Sequence, residues 1–99
     1  MTTSDVRVIF LQDIGEPFAT GDRLAFLDAA LYGAIDAIGQ AGITLTTDET
    51  EGGISALDAN LIRMYAAYLV RGRASQEPMP PQLRRALHDR LFSQKMRGG

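Results

Sequence analysis

The sequence contains no cysteine and no tryptophan, one histidine, and only two basic residues ahead of Arg63. Each scarcity closes off some chemistry. Without cysteine there is no disulfide, no thiolate nucleophile and no thiolate-held zinc, a composition that fits a reducing compartment. With His88 as the only imidazole, Cys–His and histidine-rich metal sites are excluded, and a Ser–His–acid triad would have to use His88 itself. No apolar run approaches the roughly 18 residues of a membrane span. The opening MTTSDVRVIFLQD lacks a positive start and a long apolar stretch, so no signal peptide is expected.

What is present is a divided charge. Before Arg63 the chain carries 2 basic and 10 acidic residues; from Arg63 onward it carries 8 basic and 2 acidic, so −8 and +6 make the net −2. At 99 residues the expectation is a single domain, 1–99, with a modest core.

VRVIFL, Val6 to Leu11, is β-branched and apolar, and Gly15 and Pro17 end what precedes them, so residues 1–19 are expected to form a short strand or extended arm. From Asp22 the period changes. Leu24, Leu27, Leu31, Ile35 and Ile38 recur every three or four residues, predicting a helix from Asp22 to Gln40 with Thr20 as N-cap and Gly39 and Gly42 at its end. Ile43 and Leu45 alternate with Thr44 and Thr46 as a strand fragment, followed by an acidic loop. Ser55 and Asp58 have capping-box spacing, which starts a second helix near Ala56. Its stripe runs through Leu57, Leu61, Met64 or Tyr65, Tyr68 and Leu69, ending near Gly72 with Arg71 and Arg73 at the negative end of the dipole. Pro81 suits the first turn of a third helix, whose apolar edge is Leu83, Leu87 and Leu91, flanked by Ala86 and Phe92. The expected fold is mainly α: three main helices over residues 20–92, an extended N-terminal segment, and a flexible tail over 93–99.

Catalysis finds no support in these residues. His88 reads as a surface or interface histidine on a basic helix. Asp48, Glu49 and Glu51 lack calcium-loop spacing and read as a solvated acidic loop. GEPFATG has no phosphate-loop lysine. Tyr32, Tyr65 and Tyr68 read as core or interface packing. No enzyme activity, cofactor or metal is expected. Arg84, Arg85, Arg90, Lys95 and Arg97 can neutralise phosphates, which gives one reading, a small regulatory or DNA-binding protein. Against it stand a link of about seven residues before the third helix, longer than a helix-turn-helix allows, and the acidic first half. The other reading is protein docking, in which Arg84 and Arg85 of one copy meet Asp48, Glu49 and Glu51 of an identical neighbour in head-to-tail contacts that close into rings. A non-catalytic subunit of a heteromeric enzyme is a weaker third.

DANLIRMYAAYLVRGR, Asp58 to Arg73, followed by MPPQLRRALHDRLF, Met79 to Phe92, resembles the small head–tail connector (adaptor) proteins of tailed bacteriophages and related prophage elements. The likeness spans Leu24 to Arg97. It rests on apolar periodicity with Tyr65, Tyr68, Arg71, Arg73 and Pro80 in the family's places, while VRVIFLQDIGEPF departs from the family's short helical opening. The resemblance implies a helical bundle without catalysis, about a dozen copies forming a ring beneath the portal protein. Such a ring extends the double-stranded DNA channel without reading sequence and offers a surface to the stopper or tail-completion protein. It implies portal docking through Arg90, Phe92, Lys95, Met96 and Arg97, location at the head–tail interface of the virion, host cytoplasm before assembly, and no membrane.

Overall fold

A computed structural model describes residues 1–47, 49–75 and 78–97, with side chains for all of these except 49 and 73–75. Over those residues the chain is mainly helical: α1 (Thr3–Asp13), α2 (Gly21–Gln40), α3 (Ala56–Ser75) and α4 (Pro81–Met96), with one 3-10 turn at Glu49–Glu51 and no strand among the described residues.

The expected N-terminal extended segment is a helix instead. Thr2 and Asp5 form a complete capping box: the Asp5 N–H donates to Thr2 Oγ1 and the Thr2 N–H donates to Asp5 Oδ2, both at 3.0 Å. Val6, Phe10 and Leu11 then fall on one buried side. A six-residue apolar run is ambiguous between strand and helix. Here no neighbouring strand exists among the described residues to pair with it, whereas a helix satisfies its own backbone.

In α2 the apolar stripe buries Leu27, Ala30, Leu31, Ala34 and Ile38, with Leu24 and Ile35 at its edges. Thr20 is the N-cap residue but contributes no side-chain bond. The helix stops because Gly42 takes φ +98°, which lets the Gly42 N–H reach the Gly39 carbonyl and the Ile43 N–H reach the Ile38 carbonyl. Ile43 is thereby turned inward and buried beside Ile38. The expected Ile43–Leu45 strand fragment is an irregular segment, since its inward residues are held by the core and its backbone by side chains of α4.

In α3, Ser55 Oγ accepts from the Asp58 N–H at 3.1 Å. The buried side of the helix is Asp58, Ala59, Leu61, Ile62 and Ala66, about one residue out of step with the stripe read from the sequence. Leu57, expected on that stripe, is 80% exposed. The inward face carries the small Ala59 and Ala66, both fully buried, and α2 is the helix's main neighbour. α3 touches each of the other helices, with α2 as its main partner, and one buried cluster draws on all four. The molecule measures 42 × 34 × 18 Å, its short dimension matching two helix layers.

Candidate interaction surface on the C-terminal helix

Pro81 occupies the first turn of α4, where its missing N–H costs nothing, and Leu83 is the helix's one fully buried side chain. Leu87 and Leu91 are half-buried against the core. Polar groups fix the helix as well. Arg90 Nε donates to Asp58 Oδ1 at 2.7 Å and Nη2 to Asp58 Oδ2 at 3.3 Å, with the two side chains 17% and 10% exposed. The same guanidinium donates to the Thr44 carbonyl at 2.9 Å. One turn on, Gln94 Oε1 accepts from the Thr44 N–H at 2.8 Å and its Nε2 donates to the Gly42 carbonyl at 2.9 Å. Arg90 and Gln94 thus tie α4 to the segment after α2 and to the first turn of α3. Charged partners in a largely dry setting make such bonds strong and their geometry specific.

Residues 93–96, expected to be a flexible tail, continue the helix through Met96, with Arg97 as its cap; residues 98 and 99 lie outside the described residues. Gln94 supplies the physical reason, since its two backbone contacts require the helix to extend that far. Of the expected docking residues, Arg90 is engaged inside the chain. Phe92, Lys95, Met96 and Arg97 are exposed, Phe92 by 60% and Met96 by 71%. Phe92, expected to flank the apolar edge, lies on the opposite side. Arg84, Arg85 and His88 are exposed on the same helix.

Beside this helix lies a groove of about 640 Å³ between α3 and α4, in which Leu57, Leu61, Met64 and Ala86 stand among polar residues that include Glu51, the Asp58–Arg90 pair, Asp89 and Arg97. Glu51 is therefore on the groove; Asp48 and the Glu49 side chain lie outside what is described. Tyr65 and Tyr68 pack edge to face at 6.0 Å, whereas Tyr32 is exposed.

Three residues of this surface carry no signal as site residues in the sequence reading: Asp58, Gln94 and Leu57. Gln94 had one available sign, lying one turn beyond Arg90 on the side that Leu83 and Leu87 define.

Elsewhere the acidic half is partly neutralised by arginines. Arg7 Nε lies 2.8 Å from Asp28 Oδ1, Arg63 Nε 2.7 Å from Asp13 Oδ2, and Arg23 Nε donates to Glu16 Oε1 at 2.7 Å. Arg23 holds the Glu16 carboxyl below its ordinary range and is itself raised in return; its guanidinium also lies 5.3 Å from the Phe26 ring centre. The Asp5 carboxyl is lowered by the Thr2 backbone N–H and then by the Thr2 hydroxyl. Among the described residues no group of three or more histidines, aspartates or glutamates converges as a metal site, and no helix is long and apolar enough to cross a membrane. Comparison with protein-family models, curated proteins and solved structures found no match to this chain.

Proposed function

We propose that the protein is a head–tail connector of a tailed phage or prophage-like particle, one subunit of a ring that sits between the portal and the stopper or tail. The observation that carries this is the outward face of α4. Arg84, Arg85, Lys95 and Arg97 are exposed on the same helix as exposed Phe92 and Met96, against a single exposed acid, Asp89, and the inner side of that helix is clamped to the bundle. A rigid helix presenting charge around apolar anchors is suited to docking on an acidic protein surface, with the charges steering encounter and the anchors supplying affinity. The helical opening at Thr3–Asp13 adds support, because the family resemblance implies a short helix there. Portal docking falls to Phe92, Lys95, Met96 and Arg97, with Arg90 holding the helix that carries them. The acidic first half suits a channel wall along which phosphates slide without sticking.

The test is a pull-down on portal rings encoded in the same genome, across a salt series. Reversing Lys95 and Arg97 to Glu should weaken attachment most at low salt, whereas Met96→Ala should weaken it with little salt dependence. Attachment unchanged by both rules the docking face out. Affinity for plain duplex DNA that falls steeply with salt would assign α4 to phosphates instead.

A further inference from the structure

Gln94 meets the segment after α2 in a pattern that belongs to β-structure. Its Nε2 donates to the Gly42 carbonyl at 2.9 Å and its Oε1 accepts from the Thr44 N–H at 2.8 Å, so one carboxamide spans the two groups on either side of Ile43. In a parallel ladder a single residue of the neighbouring strand makes these same two bonds through its own N–H and C=O. The side chain stands where a strand would. The next acceptor along that edge is the Thr44 carbonyl, which Arg90 Nη2 takes at 2.9 Å while the same guanidinium holds Asp58. Thr46, two residues further along the edge, lines the α3–α4 groove.

The covered segment has the composition of an edge strand. Ile43 is buried and Leu45 packs against the core, Thr44 lies outward between them, and three of the four residues ITLT are β-branched. An open edge of this kind is a template for pairing with another chain. We propose that residues 42–46 are a strand-addition site for an extended peptide segment of a partner protein, and that the last turns of α4 keep it closed. The groups on the edge set the occupant. They call for a backbone with free N–H and C=O groups, which an extended segment offers and a helix, with its own groups engaged, does not. Arg90 is anchored to a carboxylate, but beyond it the cover rests on one neutral side chain, so the final turn is the part of α4 that opens first. The proposal goes beyond the connector reading and does not rest on it.

The experiment titrates a labelled peptide AGITLTT, a copy of residues 41–47, into full-length wild type, Gln94→Ala and Gln94→Pro, and follows amide hydrogen exchange at Thr44. Gln94→Ala removes both bonds and leaves the helix; Gln94→Pro also breaks its last turn. Affinity should rise in that order, with Gln94→Ala about tenfold or more above wild type, since an occupant no longer has to displace the cover. The Thr44 amide, slow in wild type, should exchange quickly in both variants and become protected again when peptide is bound. A control peptide carrying Ile43→Pro and Thr44→Pro loses a donor on each of its edges and should not bind. Equal affinity across the three proteins, no binding by either variant, binding of the control peptide, or a Thr44 amide left unprotected under saturating peptide would each overturn the site. Should Gln94→Pro unfold, Gln94→Glu replaces it: it keeps the acceptor for Thr44 and loses the donor to Gly42, so its affinity should fall between wild type and Gln94→Ala, and an affinity outside that interval would overturn the cover.

Discussion

Arg90 shows how a residue's type can be legible while its partner is not. As one of several basic residues on the last helix it reads as a docking cation, yet Asp58, thirty-two positions away, takes its charge inside the chain. Capping-box spacing assigns Asp58 to the first turn of α3, and nothing local reveals its second role. Removing the guanidinium leaves a largely buried carboxylate without its partner, so Arg90→Ala should cost about 2–4 kcal/mol in urea unfolding. Asp58→Asn, which keeps an acceptor, should cost less. An unchanged midpoint for Arg90→Ala would mean the clasp contributes nothing. Glycines give a second contrast. Gly53 has φ +68° and an added Cβ would lie 2.6 Å from the Met1 carbonyl oxygen, so Gly53→Ala should lose about 1 kcal/mol or more. At Gly33, inside α2, the Cβ would meet only Leu69 Cδ1 at an ordinary 3.6 Å, so Gly33→Ala should gain up to about 1 kcal/mol. Thermal melts of the pair should move in opposite directions.

Among the helices, those with long stripes were legible and those with short or polar ones were not. α2 follows from five recurring aliphatics and a terminal glycine, and the start of α4 from Pro81. The rotation of α3 differs by about one residue from the stripe in the sequence, because Leu57 and Leu61 mark one face while Ala59, Ile62 and Ala66 mark the next, and periodicity alone does not choose between them. α1 is a helix although VRVIFL favours strands by composition; the sign of it in the sequence is the Thr2–Asp5 box, with the same spacing that marks α3 at Ser55–Asp58. The C-terminal turn of α4 is polar, so only the contacts of Gln94 show that it is built in. Truncation after Phe92 should therefore lower the melting temperature measurably, since it removes both Gln94 bonds and a turn of helix. A melt identical to the full chain would return residues 93–97 to a loose tail. Lys95→Glu with Arg97→Glu should leave the melt nearly unchanged, because those side chains point to solvent.

For the whole molecule, the charge division visible in the sequence is modified by pairing, with Arg63 and Arg90 from the basic half neutralising Asp13 and Asp58 of the acidic half. What stays outward on α4 is mainly basic and apolar, with Asp89 the one exposed acid of that helix, a combination that composition alone does not locate. Acid stability follows from the depressed carboxyls. Asp5 and Glu16 titrate below their ordinary range in the folded chain, so their contribution is present above roughly pH 4 and is lost as pH falls through the folded values. The urea midpoint should decline more steeply on acidification in wild type than in Asp5→Asn or Arg23→Gln, and equal slopes would remove these two groups from the acid limb.

Connector function stands or falls on the portal. Native mass spectrometry of portal rings from the same genome, mixed with excess of this protein, measures it most directly. A full ring should appear as one added copy per portal subunit or a fixed ratio near it, and should be lost with Phe92→Glu, Met96→Glu. Portal rings that gain no mass at any excess of wild-type protein would contradict the assignment.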